Sequence, residues 1–337
     1  MSTRRRIAVV TTSRADYSHL YWPLRDLAAH PEVDLQLLVC GAHLSPAFGS
    51  TVKEMERDGF AIAERIECLV ASDTDVGMAK TLGLAVLGLA DTLARLRPDL
   101  LLLIADRYEM LAPAAVGLTL RIPIAHIEGG DISEGAIDDA VRNAITKMAH
   151  LHFTSTEGAR ARVIGMGEEP WRVRRAGAPS LDHLRRGRLL GREELEAALG
   201  VSLEQRPIVI ATHPVTLLRD TTEEAEALFS ALHYLTQHRA YRRHPLLFCY
   251  PNADAGSQAL VERARRFCEH HPAASLDKDP GRPAPSAAGL LRTHARAAAS
   301  GVTEPAAGAR LFVNLPAGTY WSLLAQAEML VGNSSSG

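Results

Sequence analysis

Short apolar runs alternate with helical stretches along most of this chain, and that alternation constrains its fold more than any single motif. Arg6 to Thr12 (RIAVVTT) is a continuous apolar run of the kind found in parallel strands covered on both faces. A helix follows at YWPLRDLAAH, then a strand at VDLQLLVCG and a helix at TVKEMERDGF closed by Gly59. A longer helix is predicted from Gly77 to Leu96, ended by Pro98 before the strand DLLLLIA. A helix around Pro113 to Leu120, the strand IPIAHIE, a helix from about Ile137 to Ala149 and the short strands LHFTS and WRVRRAG extend the series. The pattern predicts an α/β protein built on open, doubly wound parallel sheets, Rossmann-like in plan.

A charged, helical passage from Leu181 to Glu204 separates this series from a second. The second runs from RPIVIATHP through helical residues at Glu223 to His238, the strand PLLFCYP, the helix SQALVERARRFCEHH, RLFVNLP, YWSLLAQA and EMLVGN. Two doubly wound domains, 1–180 and 181–337, are therefore expected to face each other across a cleft. Between Ala273 and Ala309 the sequence is dominated by Ala, Pro, Gly and Ser and reads as an insertion, with a brief helical stretch at Ala288 to Ala298.

Charge and cysteine content narrow the function. A formal charge of −2 supplies no broad basic field for nucleic acid, and the runs at Arg172 to Arg175 and Arg185 to Arg188 read as solvated faces or phosphate-adjacent surfaces. The four cysteines contain no CxxC pair, and the N-terminus lacks the apolar core of a secretion signal, so a cytoplasmic location is expected. The apolar stretch from Thr81 (TLGLAVLGLADTL) reads as too short and glycine-rich to span a bilayer, so no membrane association is expected. GxGxxG, HExxH and GxSxG are missing at the strand exits, and neither a metal nor a cofactor is expected.

Open parallel sheets bind ligands beyond the carboxyl ends of their strands. The predicted exits carry TSRADYSHLY, ADRYE, HIEGGD, THPVT, YPNADAG and GNSSSG, nearly all able to bind charge or move protons. Asp106 is either an N-cap of the next helix or a site carboxylate. Glu128 follows an apolar run and precedes Gly129 and Gly130, whose freedom would allow a tight turn and close ligand approach. Asp138 and Arg142 lie four apart on one helix face: a surface pair worth roughly 0.3–0.5 kcal/mol, or a proton acceptor and its charge partner in the cleft. His213, ahead of Pro214, is a proton carrier or a loop histidine; His126 falls within its strand and reads as packed in the sheet. GNSSSG, with Asn333, Ser334 and Ser335, would suit a phosphate, and Arg14 could bind the same anion through its guanidinium fork.

SRADYSHL, ADRYE, HIEGGDISEGAIDDAVRNAITKMAHLHFTS, ATHPVT, YPNADAG and LVGNSSSG, in that order, resemble the UDP-N-acetylglucosamine 2-epimerase family, above all its hydrolysing branch. The resemblance covers most of the chain outside the insertion. It implies a glycosyltransferase-B-like fold, a homodimer or tetramer, and a nucleotide-sugar substrate. It implies Asp106, Glu128 and Asp138 as catalytic carboxylates, Arg142 as the active-site arginine and His213 beside the diphosphate. Arg14, Asp16, Asn252, Asn333, Ser334 and Ser335 would bind substrate. The implied chemistry removes the C2 proton as the C1–O bond to UDP breaks, then adds water to the resulting glycal. Asp106 and Glu128 form the elimination pair, and Asp138 serves hydration or positioning. Alternatives left open are a non-hydrolysing epimerase, an epimerase of a modified nucleotide sugar, and a nucleotide-sugar binding protein with impaired catalysis. The family pattern continues beyond a stop such as Gly337, so the sequence is expected either to be incomplete or to have weaker stability and UDP affinity than a full family member.

Overall fold

The apolar runs become strands flanked by helices. The computed structural model describes residues 4–215, 222–273 and 307–333. In chain order the first unit comprises β1 (Arg5–Thr11), α1 (Arg14–Ala29), β2 (Val33–Cys40), α2 (Val52–Arg57), β3 (Ile62–Ile66), α3 (Asp75–Leu96), β4 (Leu100–Ile104), α4 (Leu111–Thr119), β5 (Ile124–Ile127), α5 (Asp138–Met148), β6 (Leu151–Thr154), α6 (Glu157–Gly165) and β7 (Val173–Arg175). After α7 (Asp182–Arg186) and α8 (Arg192–Leu199) come β8 (Ile208–Ala211), α9 (Thr222–Gln237), β9 (Leu246–Cys249), α10 (Ser257–His270), β10 (Ala309–Phe312), α11 (Ala317–Gln326) and β11 (Met329–Gly332). Of the low-complexity stretch, residues 274–306, including the helix expected at Ala288 to Ala298, lie outside the described residues.

The first sheet has the order β3-β2-β1-β4-β5-β6-β7 and the second, among the described residues, β10-β9-β8-β11. Every paired strand is parallel. In the first order, the chain moves outward from β1 in both directions, which opens a crevice at the carboxyl ends of β1 and β4. β3 is an edge strand with alternating exposure, and its weak apolar signal leaves it unmarked in the sequence. Successive residues of β8 and β9 serve opposite faces of the second sheet. Ile208, Ile210, Leu246 and Phe248 join one apolar cluster with Phe229 and Phe267, whereas Val209 and Leu247 join another with Leu195, Leu199 and Leu323.

One expectation is corrected. The apolar stretch from Thr81 is part of a 22-residue helix, α3, which is long and apolar enough by length and composition to cross a membrane. Its buried face, through Thr81, Ala85, Leu89 and Leu93, packs into the first unit, so the helix serves as part of the core there.

Candidate active site

β4 and β5 lie side by side, and each exits through a non-glycine residue with left-handed backbone: Ala105 at φ 57° and Glu128 at φ 64°. Such a conformation costs an L-residue roughly 1–2 kcal/mol, and strain of this kind gathers where geometry serves function. His126 braces both exits. Its Nε2 pairs with the Ala105 carbonyl at 2.8 Å, which can only accept, so Nε2 carries the proton and Nδ1 accepts from the Thr146 hydroxyl at 3.2 Å. Burial pushes its pKa down to about 4, so this histidine is a neutral brace packed in the sheet, as the sequence reading expects.

The carboxylates that follow have distinct partners. Asp106 does not cap a helix; it accepts a hydrogen bond from Ser133 Oγ at 3.1 Å and pairs with the Arg142 guanidinium. Arg142, in α5, therefore spends its ion pair on Asp106 and not on Asp138, four residues away on its own helix. Only 5 % of Arg142 is exposed, and its Nε and Nη1 have no acceptor among the described residues. Buried donors without partners are rare in folded proteins, so this guanidinium is set up for an acceptor from outside the chain. Asp138 begins α5, where burial, with the charge of Asp106 beside it, raises its pKa to about 6. Glu128 is bound by a residue the strand-exit reading passes over: His19 of α1, whose Nδ1 lies 2.9 Å and 3.2 Å from its two carboxylate oxygens. The charges of both Glu128 and Asp106 act on His19, which ties the exits of β4 and β5 to the first turns of α1.

The second unit closes over this edge. His213, beyond β8, donates its backbone N–H to Asn333 Oδ1 at 2.8 Å and accepts the Asn333 amide at its carbonyl at 2.9 Å. The backbone N–H of Asn252 donates to its Nδ1 at 3.3 Å. Burial lowers His213 to about 4, so in the empty cleft it presents a neutral ring. Arg14 donates to the carbonyls of Tyr250 (3.0 Å) and Val313 (3.2 Å), joining the units beside a small cavity that Asn252 also lines. Arg107 reaches both oxygens of Asp254, in the β9–α10 turn, at 2.8 and 2.9 Å.

Two readings change. Asp16 is buried, and its carboxylate is taken up inside the β1–α1 turn by the backbone N–H groups of Thr12 and Ser13 and by the hydroxyls of Thr12 and Ser13. It shapes the turn that carries Arg14 and has no free face for substrate. Gly130 (φ 82°) makes room for protein: an added Cβ would stand 2.4 Å from the Ala159 carbonyl of α6. Gly129 likewise clears Thr146 and His126. Ser334 and Ser335 lie outside the described residues.

The family model for UDP-N-acetylglucosamine 2-epimerase matches residues 25–337. The chain belongs to the UDP-N-acetylglucosamine 2-epimerase family. Within this family it is 32 % identical over 336 residues to the GDP/UDP-N,N'-diacetylbacillosamine 2-epimerase (hydrolyzing) of Campylobacter jejuni, covering 99 % of this chain and 77 % of that one. It is 32 % identical over 266 residues to the UDP-N,N'-diacetylbacillosamine 2-epimerase (hydrolyzing) of Legionella pneumophila, covering 79 % and 69 %. The crystal structure of UDP-GlcNAc 2-epimerase from Neisseria meningitidis bound to UDP-GlcNAc superimposes with a TM-score of 0.70 at 12 % identity, covering 98 % of this chain and 78 % of that one. At that identity the likeness is one of fold: two Rossmann-like units around a cleft, the glycosyltransferase-B-like plan.

Proposed function

We propose that this epimerase-family chain catalyses hydrolysing 2-epimerisation of UDP-N-acetylglucosamine, releasing UDP and N-acetylmannosamine. The observation that carries this reading is the grouping of three carboxylates with different partners at one cleft edge: Asp106 with Arg142, Glu128 with His19, and Asp138 with a pKa of about 6. Different environments equip acidic groups for different proton-transfer tasks.

Asp106 and Glu128 serve the elimination. One takes the C2 proton while the C1–O electrons leave with UDP, and the open donors of Arg142 receive negative charge as it develops. Asp138 serves the hydration. A carboxylate of raised pKa is a stronger base while still mostly ionised at neutral pH, which suits it to take a proton from the water that adds at C1 of the glycal. The protonated form of the other member of the elimination pair returns a proton to the opposite face of C2. Neutral His213, Arg14, Asn252 and Asn333 line the nucleotide side, with Ser334 and Ser335 at the phosphates. In this assignment the first domain, 1–180, supplies the carboxylates, and 181–337 supplies the UDP pocket. The chain acts in the cytoplasm as a homodimer or tetramer.

A second substrate is favoured by the relatives at 32 % identity, whose names specify diacetylbacillosamine. Incubation with each UDP-sugar in D₂O, followed by proton NMR, tests both. The expected outcome is free UDP with the 2-epimeric sugar carrying deuterium at C2. Deuterium exchange without UDP release would replace the hydrolysing reading with the non-hydrolysing one; no exchange with either sugar would end the enzymatic reading.

A further inference from the structure

Arg107 and Asp254 come from different units, yet both are almost fully buried, with side-chain exposures of 7 % and 9 %. Nη1 of Arg107 lies 2.8 and 2.9 Å from the two oxygens of Asp254, and Nη2 lies 3.0 Å from Glu109 Oε1. Burial raises Glu109 to about 7 despite this arginine, and Asp254 meets Arg107 with both carboxylate oxygens where Glu109 offers one. Neither Arg107 nor Asp254 has a role in the proposed chemistry. Their placement is nevertheless pointed: Arg107 follows Asp106 directly, and Asp254 lies two residues beyond Asn252.

We propose that Asp254 is a positioning residue, which through Arg107 clamps the β9–α10 turn onto the β4 exit and so holds the cleft closed around Asp106 and Asp138. The clamp has firm anchorage on both sides. The Asp254 carbonyl accepts hydrogen bonds from the hydroxyl and backbone N–H of Ser257, which fixes the turn at the start of α10. Further contacts follow the same seam: the backbone N–H of Gln258 donates to Asp73 at 3.2 Å, and Asn314 Nδ2 donates to Glu54 at 3.2 Å. Unlike these, the clamp is an ion pair shut off from water, where a guanidinium–carboxylate contact is both strong and dependent on geometry.

Closure also sets the electrostatics of the edge. Asp138 feels Asp106 and Asp254, which raise its pKa, and Arg107, which lowers it. His213 faces Asp254, Arg107 and Arg14. Opening the clamp therefore removes a negative neighbour from Asp138 as well as a mechanical tie.

This inference rests on the proposed function only for its kinetic arm. The test takes the full chain as wild type, Asp254→Asn, Arg107→Gln and the double variant. Small-angle scattering without ligand and thermal melts are measured first. Each single variant is expected to enlarge the radius of gyration and lower the melting temperature, and the double variant to cost less than the sum of the two. UDP release is then followed against pH. Asp254→Asn is expected to lower kcat at least tenfold and to move the acidic limb, assigned to Asp138, to lower pH. Unchanged scattering with additive melting effects would overturn the clamp, whatever the activity. Unchanged kcat and an unmoved limb in an opened Asp254→Asn variant would overturn its positioning role. Arg107→Lys, which keeps the charge but loses the fork, is the milder variant should Arg107→Gln not fold; it is expected to fall between wild type and Asp254→Asn. Absence of turnover in wild type would count against the proposed function and leave the scattering and melting arms to decide the clamp.

Discussion

His19 shows how a single side chain can matter although nothing in the motif that contains it, SRADYSHL, singles it out. Burial alone would lower its pKa, but the hydrogen bond and charge of Glu128, with Asp16 and Asp106 behind them, outweigh that and raise it. A histidine raised above its unfolded value of about 6.5 adds stability that is fully present below that pH and fades as pH rises through the folded value. The melting-temperature gap between wild type and His19→Ala should therefore narrow from pH 6 to pH 9; a gap constant across that range would remove the ionic component. In kinetics, His19→Ala should lower kcat about tenfold, equivalent to ~1.4 kcal/mol of barrier, because Glu128 loses the imidazole that holds its carboxylate. Glu128 and Asp106 are legible from sequence because each follows an apolar strand. His19 is not, since a histidine on an amphipathic helix carries no spacing that points to a carboxylate 109 residues away. Asp16 could have been read better: Ser13 followed three residues later by an acid is a helix-start pattern, and the structure uses it in that way.

At the scale of elements, the site depends on how the turn after β5 packs against α6. Gly130 adopts φ 82° against the Ala159 carbonyl, so Gly130→Ala meets both a left-handed backbone cost of about 1–2 kcal/mol and overpacking of about 1–3 kcal/mol. A loss of roughly 2–5 kcal/mol in denaturant unfolding is expected from these terms together. Gly165, at the end of α6 with nothing within 4 Å of an added Cβ, is the control: Gly165→Ala should be neutral or gain up to about 1 kcal/mol from helix propensity. Equal losses at the two positions would show that the close approach at Gly130 does not matter. The double glycine was visible in the sequence, but its reason was not. A glycine that clears a ligand and one that clears a neighbouring helix look alike until the helix is placed. The same limit explains Arg142: its spacing on α5 suggested Asp138, and only the adjacency of β4 supplies Asp106 as the partner.

For the whole molecule, the strand–helix alternation was enough to indicate two parallel sheets, whereas surfaces joining one molecule to another had no such signal. α3 makes the point. Its inner face is core, but its outer stripe exposes Val76 (62 %), Leu84 (45 %) and Leu87 (68 %), and nearby α4 adds Leu118, with Leu120 just past its end. Contiguous exposed apolar side chains on one face favour burial against a partner. A second copy suits this stripe because it is self-complementary. An antiparallel two-fold that sets Leu84 against the partner's Leu87 also sets Lys80 against the partner's Asp91, and both charged positions lie on the exposed side. Sedimentation velocity at micromolar concentration should then give a dimer for wild type and a monomer for Leu87→Glu. Lys80→Glu should weaken the dimer, and adding Asp91→Lys should restore it, because the swap exchanges the signs without changing their complementarity. A monomeric wild type, or a dimer indifferent to Leu87→Glu, would remove α3 as the contact. Since the carboxylates stand at the strand exits and not on this stripe, UDP release by a folded Leu87→Glu monomer would further show that each cleft works within one chain, and its loss would mean that assembly supports the closed cleft.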